Sequence, residues 1–345
     1  MLELINETGA GAVVVPGWDL AGNYRPVLVA RLTLAFDLHG NIAVAEEQPS
    51  PLLADSHFGK PMETSLQEAN EIGAFKQGAE YYLYGNAYTR TGVENRAHVS
   101  VEIRQQGAVL RKQLVALGEH GWEKGLIGVR RGEPAPFTSL PLCYENAYGG
   151  SHHKSGQREK HNPVGRGFNP SGWKIVDQRA PQMEYAGQSA LSPSRPCPVA
   201  GFGPLPVFWA PRQARFGTPS EMPLDGQGCP WGSDAQPSLH HCAPQDQWLA
   251  HVFTGGETLT LQGFFPDHPE PITLTLPSWQ PAALLICRGH SPQHLHTECD
   301  TLVIDTEQRT LALIARTRID PASLGGQPAW LRLLAASFLV KKEAV

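Results

Sequence analysis

The sequence has few charged residues and no excess of positive charge. Only 18% of its 345 residues are Asp, Glu, Lys or Arg, and the formal net charge is −5; about a quarter is usual for charged residues. Binding to nucleic acid or to anionic lipid depends on clustered Lys and Arg. The sequence also lacks a long apolar run, because Ala10–Val15 and the segment around Leu333–Val340 are too short to cross a bilayer. We therefore expect neither a nucleic-acid partner nor a membrane partner.

No positively charged leader is visible at the start of the sequence. Glu3 and Glu7 stand where a secretory signal would carry cations, and the first cation is Arg25. The six cysteines are widely spaced and form no C-x-x-C pair. In a long chain without a signal peptide, such cysteines are typical of reduced thiols. These features predict a cytoplasmic protein.

The short patterns that mark common catalytic sites are also missing. Neither the G-x-S-x-G turn of α/β-hydrolases nor the H-E-x-x-H pair of zinc proteases occurs. The glycines of Tyr148–Gly150 and Gly165–Gly167 are not followed by the Lys-Ser/Thr of a phosphate-binding loop. Tight turns account for such glycines, because glycine adopts backbone angles that other residues avoid. The sequence therefore predicts a protein that is not an enzyme and needs no cofactor.

Glycine and proline, by contrast, are abundant, with 35 and 30 copies. Both are poor helix formers, which excludes a long-helix or coiled-coil protein. Hydrophobic residues make up 41% of the chain, which is enough for a sizeable core and excludes wholesale disorder. Residues 136–235 alone hold 14 prolines and 13 glycines, interleaved with aromatic residues. We expect this segment to form ordered loops that pack against a β core through its rings.

Alternation of apolar and polar residues, which is typical of strands, dominates the rest of the chain. Val27–Asp37, His98–Arg104 and Ala108–Val115 show it in the first third. Asp300–Thr306 and Thr310–Arg316 are separated by three turn residues and predict a hairpin. The sequence predicts a mainly β protein with antiparallel sheets, sandwich or barrel-like, and long ordered Gly/Pro-rich loops.

Only the last residues favour a helix. The segment Pro328–Lys342 places Leu331, Leu334 and Phe338 at positions i, i+3 and i+7, begins with a proline and ends with two lysines. We therefore divide the chain into an N-terminal β region (1–135), a loop-dominated segment (136–235) and a C-terminal β region with a terminal helix (236–345). We expect the three to form one compact unit.

One cluster contains residue types that bind zinc. Five such residues lie within 13 positions, namely Cys287, His290, His294, His296 and Cys299. Thiolates and imidazoles are preferred zinc ligands, and short spacings let one loop supply several of them. The spacing C-x2-H-x3-H-x-H-x2-C matches no common zinc pattern, so a polar loop between strands is the favoured interpretation. A metal-dependent hydrolase or a zinc-stabilised binding module is the alternative.

Short turn motifs recur along most of the chain, namely Ile5–Thr8, Val15–Asp19, Ala45–Pro49, Ala54-Asp55, Phe75-Lys76 with Gly78, Tyr84–Tyr88, Pro141-Leu142, Tyr144–Gly150, Asn162–Phe168, Ala200–Pro204 with Trp209, Ala243–Gln247 and Gly255–Glu257. In their order and number, these motifs resemble a bacterial family of unknown function that is encoded in type VI secretion clusters. The family's pattern carries arginine and phenylalanine where this chain has Asn146 and Tyr148. The Cys/His-rich loop before Asp300 is not part of the pattern.

The resemblance implies an effector adaptor or chaperone without catalytic activity. Members are encoded beside toxic effectors, PAAR tip proteins and VgrG spike proteins, and the expected role is to hold an effector and help load it on the spike. Trp, Tyr and Arg are enriched among the residues that dominate binding energy at protein interfaces. The middle segment offers six such candidates for partner binding, namely Tyr148, Arg166, Phe168, Trp173, Trp209 and Arg212. The alternative for each of them is that its side chain packs in the protein's own core beneath the loops.

Overall fold

A computed structural model describes residues 2–74, 76–126, 128–152, 155–170, 178–189, 197–218, 229–324 and 328–334. The first ten strands are β1 (Leu2–Asn6), β2 (Gly11–Val15), β3 (Val27–Phe36), β4 (Ile42–Val44), β5 (Ser56–His57), β6 (Leu66–Glu68), β7 (Ala79–Tyr84), β8 (Asn86–Tyr88), β9 (Arg96–Gln105) and β10 (Ala108–Leu117). The middle of the chain contributes β11 (Trp122–Lys124), β12 (Val129–Arg131), β13 (Ser139–Pro141), β14 (Tyr148–Gly149), β15 (Arg166–Gly167), β16 (Met183–Tyr185), a 3-10 turn (Tyr144–Asn146) and the helix α1 (Ala210–Gln213).

The remaining strands belong to the last third of the chain. They are β17 (Trp248–Leu249), β18 (Thr258–Gln262), β19 (Ile272–Thr275), β20 (Ala282–Cys287), β21 (Gln293–Leu295), β22 (Glu298–Asp305), β23 (Thr310–Arg318) and β24 (Ala329–Leu334). Two further 3-10 turns span Gln245–Gln247 and Pro321–Leu324. None of the helices within the described residues is long and apolar enough to cross a bilayer.

Three open sheets form the scaffold. The largest has the order β17-β7-β22-β23-β3-β2, with β4 also paired to β3. A five-stranded sheet has the order β16-β10-β9-β18-β19, and a four-stranded sheet has the order β1-β24-β20-β21. Most pairs are antiparallel, whereas β7/β22, β1/β24 and the short pair β14/β15 are parallel. The predicted mainly β, largely antiparallel class is confirmed, and the open strand orders fit a sandwich-like arrangement.

The hairpin of β9 and β10 shows how local sequence builds these sheets. Val99, Val101 and Ile103 are buried on one face of β9, as their spacing of two predicts. The connecting residues Gln106 and Gly107 both have positive φ, 49° and 82°. Such a two-residue turn matches the twist of the two strands it joins. The predicted hairpin of β22 and β23 is present as well.

One large hydrophobic cluster joins the sheets to the irregular middle segment. It contains buried residues of β3, β9 and β24 together with Tyr144, Phe202 and Trp209. Strands from residues 1–135 pair directly with strands from residues 236–345 in the largest and smallest of the three sheets, since β7 pairs with β22, β3 with β23 and β1 with β24. The described parts of the middle segment thus pack against a shared β core through their rings.

The predicted C-terminal helix is wrong where the structure describes it. Ala329–Leu334 is a strand that pairs with both β1 and β20. Ala329, Leu331 and Leu333 are buried, which is the alternation of buried residues expected for a strand. The helical spacing of Leu331 and Leu334 does not determine the structure. Hydrogen bonds to two neighbouring strands outweigh the local helical preference. Residues 335–345, which include Phe338, lie outside the described residues.

Candidate functional site

A cleft of about 730 Å³ opens where several irregular segments meet. This volume lies within the range of pockets that hold small ligands. The residues that line the cleft are Tyr144, Tyr148, Glu159, His161, Cys197, Pro198, Val199, Leu205, Pro211, Ala214, Arg215, Gln236, Ser238, Pro244, Gln245 and Trp248. Most of them belong to the loop-dominated segment 136–235, and the others follow it closely.

The first wall of the cleft is the turn that carries Tyr148, and Asn162 holds this turn in place. Its side chain is fully buried, and its Nδ2 donates hydrogen bonds to the carbonyl oxygens of Tyr144 at 2.8 Å and Tyr148 at 3.0 Å. Gly149 has φ of 150°, and a Cβ there would lie 2.1 Å from the carbonyl oxygen of Asn162. Only glycine allows the two chain segments to approach this closely.

Arg166 stabilises the same wall through hydrogen bonds to residues that do not line the cleft. Its Nε donates to the carbonyl oxygen of Glu145 at 2.9 Å, and its Nη2 donates to the Oδ1 of Asn146 at 2.6 Å. Its Nη1 donates to the Oε1 of Gln182 at 2.5 Å. The planar guanidinium thus links three separate chain segments in one geometry.

The second wall is built around Trp209, at the start of α1. The Trp209 side chain is 1% exposed and packs edge-on against the ring of Tyr144, with centroids 5.3 Å apart. The Tyr144 hydroxyl donates to the carbonyl oxygen of Gly203 at 2.8 Å, and the Nη1 of Arg212 donates to the carbonyl oxygen of Leu205 at 2.9 Å. These interior contacts hold the helix against the β core.

The third wall, residues 242–248, is anchored by a buried carboxylate. Glu80 of β7 is 0% exposed, and it accepts hydrogen bonds from the backbone N–H groups of Cys242 at 3.1 Å and Ala243 at 2.8 Å. The Nζ of Lys76 lies 2.5 Å from the Oε1 of Glu80 and also donates to the Oγ1 of Thr301 at 2.6 Å. The ion pair therefore joins the cleft wall to the largest sheet.

Two further polar side chains hold the same wall. The Nε2 of Gln247 donates to the carbonyl oxygens of Tyr81 at 2.8 Å and Phe202 at 2.9 Å. The buried Nζ of Lys112 donates to the Oε1 of Gln247 at 2.7 Å and to the Oδ1 of Asp246 at 2.9 Å. Burial lowers the pKa of Lys112 to about 8, although Asp246 acts in the opposite direction. Because all three walls are held by internal hydrogen bonds, the cleft is already shaped in the unbound protein.

The pair of Glu80 and Lys76 predicts loss of stability in acid. Burial is the largest single influence and would raise the pKa of Glu80, but the ammonium group of Lys76, the neighbouring His241 and the hydrogen bonds from Lys76 and Ala243 together outweigh it and lower the pKa from 4.5 to about 2. A lowered folded-state pKa stabilises the protein above the unfolded-state value, and this contribution is lost as the pH falls through the folded-state value. We expect the free energy of unfolding to fall by about 3 kcal/mol between pH 5 and pH 2 through this group.

Urea unfolding at several pH values in this window checks the prediction. The Glu80→Gln variant removes the titrating carboxyl group and should show a shallower pH dependence than the wild type. Equal slopes for the two proteins would show that other carboxyl groups carry the acid sensitivity.

Arg215 gives the cleft an unusual cation. It is 7% exposed, its guanidinium lies 4.6 Å from the centre of the Trp248 ring, and its Nη1 donates to the carbonyl oxygen of His241 at 2.9 Å. Burial and then the neighbouring Arg212 lower the pKa of Arg215 to about 10, so it stays protonated at neutral pH. Among the residues that the structure describes, no carboxylate forms an ion pair with it.

Glu159 places the opposite charge in the cleft lining. Its Oε1 accepts a hydrogen bond from the backbone N–H of His161 at 3.1 Å and lies 2.7 Å from the Nδ1 of the same residue. The His161 side chain is 65% exposed. Burial, followed by the charge of Glu159, raises the pKa of Tyr148 to about 12, which keeps this phenol neutral. The lining thus combines one cation, one anion and several apolar rings.

The structure separates the six predicted contact residues. Tyr148 lines the cleft and is 8% exposed. Arg166 and Phe168 are half-buried, and Arg166 forms the hydrogen bonds described above. Trp209 and Arg212 are buried and are not among the residues that line the cleft. Trp173 lies outside the described residues. Contact with a partner stays a prediction for all six.

The Cys/His-rich loop does not form a metal centre in the structure. Cys287 ends β20, where its Sγ donates to the carbonyl oxygen of Ser323 at 3.2 Å, and Cys299 is buried in β22. His290, His294 and His296 are exposed. Within the described ranges, which include all five residues, no group of three or more His, Cys, Asp or Glu side chains could hold a metal ion.

Sequence reasoning missed several residues that shape the cleft. Ala243–Gln247 is predicted only as a turn motif, and no prediction includes Glu80. Nothing in the sequence around Arg215 distinguishes it from the other arginines, because its burial and its stacking on Trp248 arise from tertiary packing. A charged residue inside an otherwise apolar strand, as at Glu80, is the one signal that could have been used.

Fold and cleft together define a mainly β protein whose irregular segments build a preformed binding cleft. A bacterial protein family, described as "Uncharacterized protein conserved in bacteria (DUF2169)", matches residues 21–316. The match covers most of the chain, so this protein belongs to that family. No curated protein and no solved structure matches the chain.

Proposed function

We propose that this protein is an adaptor or chaperone for a toxic effector of a type VI secretion system. In this role it holds the effector in the cytoplasm and helps load it on the VgrG spike, directly or through a PAAR tip protein. The turn motifs along the chain support the proposal through the family they resemble. The membership in a bacterial family of uncharacterised proteins agrees with it.

The preformed cleft is the observation that carries the proposal. Its walls are held by Asn162, Glu80 and Gln247, each of which hydrogen-bonds backbone groups inside the protein. Loops that are already ordered lose less conformational entropy when a partner binds. The lining residues Gln236 and Gln245 are exposed, so their side chains are accessible to a partner.

Blocking the cleft tests the proposal. We expect the double variant Gln236→Trp/Gln245→Trp to reduce co-purification with the effector encoded in the same gene cluster by at least tenfold, because two indole rings fill the space that the effector occupies. Both positions are exposed, so the substitutions leave the core intact. Co-expression with a tagged effector, followed by pull-down and quantification, gives the readout.

Gln308→Trp is the matched control, because Gln308 is an exposed glutamine in the turn between β22 and β23. This variant should co-purify like the wild type. Full binding by the cleft-blocked protein would show that the effector docks elsewhere. An effector that binds none of the three proteins would contradict the adaptor function itself.

A further inference from the structure

The guanidinium of Arg215 lies in the cleft wall, and within the described residues no carboxylate forms an ion pair with it. More than nine-tenths of the residue is buried, yet only its Nη1 donates a hydrogen bond, to the carbonyl oxygen of His241. In the part of the chain that the structure describes, neither Nε nor Nη2 has a hydrogen-bond partner. Burying a charge is costly unless it is paired and hydrogen-bonded. A bound carboxylate would supply both the charge and the acceptors.

The geometry of a guanidinium limits what can bind there. Two nitrogens on one edge of the planar guanidinium can donate two parallel hydrogen bonds, one to each oxygen of a carboxylate. The guanidinium carbon of Arg215 lies 4.6 Å from the centre of the Trp248 ring, and this contact restricts the movement of the guanidinium. The site is therefore ordered before a carboxylate arrives.

The lining around Arg215 suits a peptide rather than an isolated anion. Tyr148, Trp248, Pro211 and Pro244 offer apolar surface for side chains, and Gln245 offers an amide for peptide groups. Grooves lined by aromatic residues receive extended peptide segments in several recognition domains. Glu159 in the same lining repels a second acidic residue.

We propose that the cleft binds an extended segment of the effector that carries one carboxylate between apolar residues, and that Arg215 holds this carboxylate through two hydrogen bonds. The inference rests on the proposed adaptor function and names the chemistry that the cleft recognises. A segment with a run of acidic residues is disfavoured by Glu159. A segment without an acid leaves Arg215 unpaired.

Two binding measurements test the proposal. The first compares the full-length effector with the wild type, Arg215→Gln and Arg215→Lys by isothermal titration calorimetry. We expect Arg215→Gln to bind at least tenfold more weakly and Arg215→Lys to lie between, since lysine keeps the charge but not the paired donors. Arg90→Gln, an exposed arginine outside the cleft, should bind like the wild type.

The second measurement leaves this protein unchanged. Overlapping 15-residue peptides that cover the effector sequence are labelled and titrated against the wild type by fluorescence anisotropy. The binding peptides should contain an Asp or Glu, and replacing it by Asn or Gln should weaken binding at least tenfold. The same peptide pairs should differ little with Arg215→Gln. The comparison of acidic and amide peptides on the wild-type protein tests the carboxylate site even if Arg215→Gln fails to fold. Circular dichroism would reveal such a failure.

The possible outcomes distinguish a failure of the carboxylate site from a failure of the adaptor function. An effector that binds the wild type and folded Arg215→Gln equally, or peptides that bind equally well as amides, would overturn the carboxylate site and leave the adaptor function standing. An effector that does not bind the wild type would overturn the adaptor function and the carboxylate site with it.

Discussion

Replacement of Glu80 by glutamine is expected to lower the free energy of unfolding by about 3–5 kcal/mol, the usual cost of breaking a buried ion pair on one side. Glutamine has nearly the same shape, so the loss arises from charge and not from a cavity. The ammonium group of Lys76, 2.5 Å from the Glu80 carboxylate, would remain buried without its counter-charge. The N–H groups of Cys242 and Ala243 would also lose a charged acceptor.

Chemical denaturation at pH 7 measures this effect. The matched control is Glu63→Gln, because Glu63 pairs with Lys60 at the surface, where the two side chains are 66% and 80% exposed. We expect the control to change stability by less than about 0.5 kcal/mol. Similar losses in the two variants would show that the Glu80 pair does not anchor the cleft wall.

Replacement of Trp209 by alanine is expected to cost about 3–5 kcal/mol, as large-to-small changes of buried aromatic residues do. The ring is 1% exposed and packs within the main hydrophobic cluster against Tyr144. Its removal leaves a cavity next to the cleft that the surrounding β core can fill only in part. Thermal and chemical unfolding would report the loss.

Trp18→Ala is the control for Trp209→Ala. Trp18 is half-buried and makes edge-on contacts with Tyr24 at 6.0 Å and Trp231 at 6.3 Å. We expect it to lose less than half as much stability. Equal losses would place Trp209 outside the stabilising core. Because Trp209→Ala weakens the fold, reduced effector binding by this variant would not identify a contact, and exposed cleft residues are the better test positions.

The sequence predicted the parts of the fold that depend on local patterns. The hairpin of β9 and β10 follows from alternating residues around a Gln-Gly turn, and the hairpin of β22 and β23 follows in the same way. Local pattern failed at Leu331, whose neighbours satisfy both helical and strand spacing. Hydrogen bonds from β1 and β20 decide between them, and neither strand is close in sequence.

The sequence indicated which part of the chain lines the cleft, but not which residues shape it. The concentration of proline, glycine and aromatic residues in the middle segment indicated an irregular surface, and most lining residues are found there. The roles of single residues were not visible. Trp209 and Arg215 are six positions apart in the sequence, yet Trp209 lies in the core and Arg215 borders the cleft. Only the packed β core distinguishes them.

The pairing of early strands with late ones has a consequence for synthesis on the ribosome. Strands β3 and β7 have their longest partners in β23 and β22, which follow them far along the chain and therefore emerge much later. Domains dominated by contacts between distant residues fold slowly, because long loops must close before those contacts form. The nascent chain therefore carries apolar strand edges without their partners until β22 and β23 have been synthesised, and a chain that stops before β22 cannot complete its largest sheet.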